Sequence, residues 1–107
     1  MKKAFTMVEL LTLLKDIKKD FLKDGFVIDG FFGSYARNEA TQKSDLDLLY
    51  HLDKRFYEKY QGFVGFKRLD EIKNTIAKRL ELNVDLAPKN NLSKTAQKYI
   101  LEEVIYV

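Results

Sequence analysis

Apolar residues recur at helical spacing near the start of the chain: Leu10, Leu14, Ile17 and Phe21 share one face, and Lys15, Lys18 and Lys19 fall mostly on the other. This predicts a first helix from Met7 to Lys23, stopped by Gly25. Thr6-Met7-Val8-Glu9 has the form of a capping box, and Phe5 and Leu10 are placed for a hydrophobic staple. The pattern then changes period. Phe26-Val27-Ile28-Asp29-Gly30-Phe31-Phe32 is rich in β-branched and aromatic residues and reads as a strand that stops at Gly33-Ser34. Leu46-Asp47-Leu48-Leu49-Tyr50, short and apolar between polar flanks, reads as a second strand. Helical spacing returns with Leu69, Ile72, Ile76 and Leu80, predicting a long helix from Phe66 to Glu81. Asn83-Val84-Asp85-Leu86 is a short strand-like run before Pro88, Leu92-Ser93 opens a last helix to Glu103, and Val104 to Val107 reads as a terminal strand. Lys54 to Tyr60 reads chiefly as a solvated connection, and Gln61 to Gly65 as a hinge. Helices interleaved with strands in this order suit an α/β (α+β) fold: one small mixed sheet with helices packed mainly on one face.

The polar residues interrupting this pattern carry the candidate chemistry. Side chains two apart on a strand share a face, so Asp45 and Asp47 point the same way, their Cα atoms roughly 6.5 Å apart. Like charges held together raise each other's pKa and destabilise the fold unless a cation neutralises them. All-oxygen ligands favour Mg²⁺ or Mn²⁺ over zinc, and with no cysteine and one histidine the chain offers little else. Taken alone, an Asp-x-Asp at a strand start equally well caps a loop. Upstream, a strand running into Gly33-Ser34 and a short helical turn leaves backbone N–H groups free for an anion. Gly33 allows close approach, Ser34 offers a hydroxyl, the helix N-terminus beginning near Tyr35 adds its dipole, and Arg37 can supply a forked charge. Taken alone, Gly-Ser is an ordinary turn.

Together, Phe32-Gly33-Ser34-Tyr35-Ala36-Arg37 and Ser44-Asp45-Leu46-Asp47-Leu48 closely resemble the signature of the polymerase-β-type nucleotidyltransferase superfamily: glycine-serine, ten residues, then aspartate-x-aspartate. Within it the chain looks like a minimal nucleotidyltransferase, which implies the core fold of that superfamily. The resemblance implies a third carboxylate from a later strand, for which Asp85 is the candidate. It also implies a triphosphate held by Gly33, Ser34 and Arg37, and two Mg²⁺ ions held by Asp45, Asp47 and Asp85. ATP is then the substrate, and Asp85 ligates the second ion or takes the acceptor's proton. One departure is visible: Asn38 stands where the family commonly has glycine. Asparagine tolerates a left-handed backbone, so the turn can survive the exchange.

Composition narrows the rest. A chain of 107 residues, 46% hydrophobic, reads as one domain over 1–107 with a single core and no room for a separate acceptor domain. The absence of cysteine fits a cytoplasmic setting. Met-Lys-Lys begins like a secretion signal, but Glu9, Lys15 and Asp16 interrupt the apolar run, and no segment is long enough to span a membrane. The charge of +3, from 19 basic and 16 acidic residues, is too even for a nucleic-acid surface, so direct nucleic-acid binding is not expected. His51 reads as structural, and Tyr35 and Tyr50 as packing residues.

Small stand-alone members of this kind resemble the antitoxin half of toxin–antitoxin pairs whose other half is a helical HEPN ribonuclease. That resemblance implies transfer of AMP to a tyrosine of the toxin, with a partner that brings its own hydroxyl. Two other readings stand beside it: a module that blocks the ribonuclease by binding alone, and transfer to a small molecule or an RNA end. Base preference, acceptor and oligomeric state are not written in these residues.

Overall fold

A computed structural model describes residues 5–107. The element order is α1 (Met7–Leu22), β1 (Phe26–Phe32), β2 (Leu46–Leu52), α2 (Lys54–Lys59), α3 (Phe63–Leu80), β3 (Val84–Pro88), a 3₁₀ turn (Lys89–Asn91), α4 (Lys94–Glu103) and β4 (Ile105–Tyr106). The strands form one mixed sheet ordered β3-β2-β1-β4, in which β1 runs antiparallel to β2 and β4, and β3 runs parallel to β2. The α+β class with its mixed sheet is as expected.

Helix α1 begins at the capping box: Thr6 accepts from the Glu9 N–H at 3.1 Å, and Glu9 accepts from the Thr6 N–H at 3.1 Å. Phe5 packs on the core beside Leu10. The apolar stripe of α1, the Ile72, Ile76 and Leu80 stripe of α3, and the even-numbered residues of β2 form one cluster with Phe26, Ile28 and Phe31. Leu14, Ile28, Phe31, Leu46, Leu48, Ile72 and Ile76 are fully buried there. Because strand side chains alternate, the odd residues of β2 (Asp47, Leu49 and His51) turn to the opposite face of the sheet. That face carries the polar chemistry.

Three expectations are corrected. Lys54 to Tyr60 is not a solvated connection: Asp53 caps α2 by accepting from the Arg55 N–H at 2.9 Å, and Phe56 is buried with its ring 5.0 Å from that of Tyr60. A six-residue helix anchored by one aromatic is too short to display a period. The Gln61 to Gly65 hinge is in its second half the first turn of α3, which starts after Gly62; exposed Phe63 and Val64 lie off the buried stripe and so gave no helical signal. Residues 33–38 form a hydrogen-bonded turn rather than a helix start, with Arg37 N–H donating to the Gly33 carbonyl at 3.1 Å and Glu39 N–H to that of Ser34 at 2.8 Å. Among the described residues, no helix is long and apolar enough to cross a membrane.

Candidate active site

The register of the sheet assembles the site. Asp47 lies beside Asp85 on the neighbouring parallel strand and beside Phe32 on the antiparallel one, so the end of β1 and both aspartates meet at one end of that face. Adjacent strands lie about 4.8 Å apart, and Asp45 sits one residue before the start of β2. Asp45 and Asp85 are exposed and Asp47 is half-buried. Burial raises the Asp47 carboxyl above its ordinary range, and the charges of Asp85, Asp45 and Glu103 push it further, against a lowering by Arg37. Asp47 is thus where the like charges converge. Burial and the Asp45 charge also raise the Tyr35 hydroxyl, so Tyr35 lies within reach of the same field. Among the described residues, no three acidic or imidazole side chains close into a ready-made metal cluster.

The turn after β1 stands directly over Asp47. Gly33 is buried and holds φ +75°, a left-handed backbone, and a Cβ on it would collide with Asp47 Oδ2. Gly33→Ala is expected to cost about 1–2 kcal/mol from backbone conformation alone, and it displaces the Asp47 carboxylate. Paired chemical denaturation of wild type and variant measures the cost; an unchanged midpoint would show that the turn readily adopts another conformation. Asn38 holds φ 59°, so asparagine does take a left-handed backbone at this turn. Among the described residues, no hydrogen bond engages the N–H groups of Ser34, Tyr35 or Ala36, which leaves three successive donors at the turn. The Arg37 guanidinium is held by Glu39 at 3.3 Å and by Glu103 at 3.0 Å.

Glu103, at the end of α4, was not anticipated; it accepts from Gly33 N–H at 2.8 Å through Oε1 and from Arg37 through Oε2. His51 Nδ1 lies 2.9 Å from both carboxylate oxygens of Asp29, which pins the ring to the sheet in a structural role. Tyr50 is buried and stacks on Phe26, the rings 4.9 Å apart.

The family model described as Nucleotidyltransferase domain matches residues 10–107, and the chain belongs to that family. The protein adenylyltransferase MntA of Thermococcus cleftensis is 35% identical over 104 residues, covering 95% of this chain and 96% of the relative. MJ0126 of Methanocaldococcus jannaschii, provisionally named a protein adenylyltransferase, is 36% identical over 105 residues, covering 95% and 98%. A solved structure described provisionally as a minimal nucleotidyltransferase superposes with a TM-score of 0.74 at 24% identity, covering 98% of this chain and 99% of that one. A toxin–antitoxin crystal structure with AMP-PNP superposes at 0.66 and 16% identity, covering 89% and 69%; both likenesses bear on the fold.

Proposed function

We propose that this protein transfers the AMP moiety of ATP to a tyrosine hydroxyl of a HEPN-type ribonuclease in the cytoplasm and thereby neutralises that toxin, with Mg²⁺ as cofactor. The observation that carries this reading is the meeting of the Gly33 turn with the Asp47 and Asp85 pair: backbone donors of a kind that suits an anion beside carboxylates of a kind that suits a cation. The donor set fits a hard divalent ion. Its members are all carboxylate oxygens, they repel one another as they stand, and Gly33 keeps beside Asp47 Oδ2 a space that a Cβ would fill. Asp45, Asp47 and Asp85 would hold the metal, which when bound supplies charge neutralisation to the phosphates and the leaving pyrophosphate.

The chain's own groups do the rest. Ser34 and the free N–H groups of the turn receive phosphate oxygens, and Arg37 adds positive charge beside them. The acceptor oxygen bonds to the α-phosphorus as the bond to the bridging oxygen breaks, and pyrophosphate leaves. The hydroxyl proton passes to Asp85, whose exposure lets an incoming acceptor reach it. The names of the adenylyltransferase relatives and the toxin–antitoxin neighbour support a protein acceptor.

A second reading, inhibition by binding alone, has its own observation. Tyr57, Phe63, Val64 and Phe66 are all exposed around the end of α2 and the start of α3, an apolar surface suited to a protein partner. Incubation with a HEPN-type ribonuclease, Mg²⁺ and ATP labelled at the α-phosphorus is expected to leave covalent label on the ribonuclease. Label at the γ-phosphorus should not transfer, and EDTA should abolish the reaction. Ribonuclease inhibition that persists in EDTA without label would replace transfer by binding.

A further inference from the structure

Gly33 lies where the β1 ladder runs out. β4 pairs Tyr106 with Gly30 and Ile105 with Phe31, so continuing that antiparallel register sets Val104 opposite Phe32 and Glu103 opposite Gly33. The chain is already helical at Glu103, so no extended main chain is there to receive the Gly33 N–H. The Glu103 side chain receives it instead, and its second oxygen reaches back to Arg37 on the far side of the turn. One carboxylate thus ties both ends of the turn that stands over Asp47.

The position is costly for a carboxylate in other respects. The last turn of α4 holds Glu102 and Glu103 and no basic residue, although the carbonyl end of a helix favours cations. Glu103 also adds its charge to those crowding Asp47. Its contacts with Gly33 and Arg37 work against both penalties: the Gly33 bond is part-buried, while the Arg37 pair is exposed and correspondingly screened by water. β4 itself comes close to β1 at Gly30, where a Cβ would meet the Ile105 carbonyl, so the end of α4 is delivered to the turn by a tight strand contact.

We infer that Glu103 is a positioning residue of the nucleotide site: bridging Gly33 N–H and Arg37, it holds the phosphate-binding turn at its working distance from Asp47, a role that rests on the nucleotidyl-transfer reading. It touches neither phosphate nor metal in this role. Its removal loosens the turn without removing any ligand.

Glu103→Ala and Glu103→Gln test this by two independent readouts. In the nucleotide-free protein, amide exchange followed by NMR should speed up at Gly33 by about tenfold or more in Glu103→Ala, the size expected for losing a hydrogen bond to a charged group. Glu103→Gln, which keeps an acceptor for Gly33 but loses the charge on Arg37, should fall between. With Mg–ATP, KM should rise by about tenfold in Glu103→Ala, with partial rescue by glutamine and a smaller change in kcat. An unchanged Gly33 amide overturns the inference. So does a lowered melting temperature with unchanged KM, which would mark a purely structural brace, and so does tighter ATP binding, which would make Glu103 a competitor for the anion site. A wild-type protein that neither binds Mg–ATP nor transfers label defeats the nucleotidyl-transfer reading and the positioning role with it, while the Gly33 amide still reports on the contact.

Discussion

Asp47→Asn is expected to lower nucleotidyl transfer by about a thousandfold or more, the scale on which charge stabilisation at a reacting centre is lost. The fold should remain intact. Asp47 is where the site's electrostatics concentrate: it is the half-buried member of the aspartate set, paired with Asp85 and lying under the Gly33 turn. An amide of the same shape keeps the packing and loses the charge that a metal needs. The stability prediction has the opposite sign. The folded-state carboxyl of Asp47 is raised above its ordinary value, so at neutral pH its ionised form costs folding free energy. Asp47→Asn should therefore melt no lower than wild type, and slightly higher in the absence of metal. That advantage should disappear as pH falls through the raised carboxyl pKa, because wild type then takes up a proton and sheds the same repulsion. Transfer assays and melting curves on the same preparations check both halves. Retained transfer in a folded Asp47→Asn protein would remove Asp47 from the site.

Asp24→Ala is expected to cost about 3 kcal/mol, the scale for leaving one member of a buried ion pair uncompensated. For a domain of this size that lowers the melting temperature by roughly 10–20 °C. Asp24 is 8% exposed at the junction of α1 and β1 and accepts from Arg68 at 2.5 Å and from the Tyr60 hydroxyl at 3.1 Å, with Lys59 Nζ at 3.6 Å. Arg68 lies over the rings of Phe21 and Tyr60, 5.9 and 5.6 Å from their centroids, and its buried Nε has no hydrogen-bond partner among the described residues. Without Asp24, that guanidinium has little water to turn to. Burial pushes the Asp24 carboxyl up, but hydrogen bonds from Arg68 and Tyr60 and the charges of Arg68 and Lys59 outweigh it, so its pKa is lowered. Its contribution is accordingly present above the ordinary carboxylate pKa and fades as pH falls below that value toward the lowered one. Denaturant titrations near neutral pH and in acid should show the gap between wild type and Asp24→Ala narrowing in acid. A loss under about 1 kcal/mol at neutral pH would mean that Arg68 finds solvent.

Much of this architecture was legible in the chain. The span Phe26 to Phe32 is the observed β1, and Thr6 with Glu9 starts α1 as the capping box indicated. Helix α1 buries a full stripe and β1 is marked by its β-branched and aromatic residues, so local pattern and tertiary packing agree on both elements. The segments misread are those where one contact outweighs the pattern. A single buried Phe56 makes a helix of Lys54 to Lys59. Within β1, a detail the strand reading did not address is the register shift between Ile28 and Gly30, which lets Ile28 and Phe31, three apart, both face the core. Gly30 was the available signal for that shift, since glycine within a strand marks a bulge or a close approach. The turn at residues 33–38 was expected to start a helix; its free N–H groups come instead from a hydrogen-bonded turn.

For the site, closeness along the chain was enough to bring the charge of Asp45 to bear on Asp47, although Asp45 lies just before β2, and the Gly33-Ser34 and Asp-x-Asp motif was enough to identify the family. Neither could show that Asp85 adjoins Asp47, because that depends on a parallel pairing between strands separated by two helices. Nor could they show Glu103, 70 residues from Gly33 along the chain, whose role is created by the β1–β4 register. Local chemistry follows from neighbours along the chain, with fixed bond lengths and alternating side chains. The meeting of Asp47, Asp85, Gly33 and Glu103 follows from burial of the shared core beneath the sheet, which brings distant segments into one register.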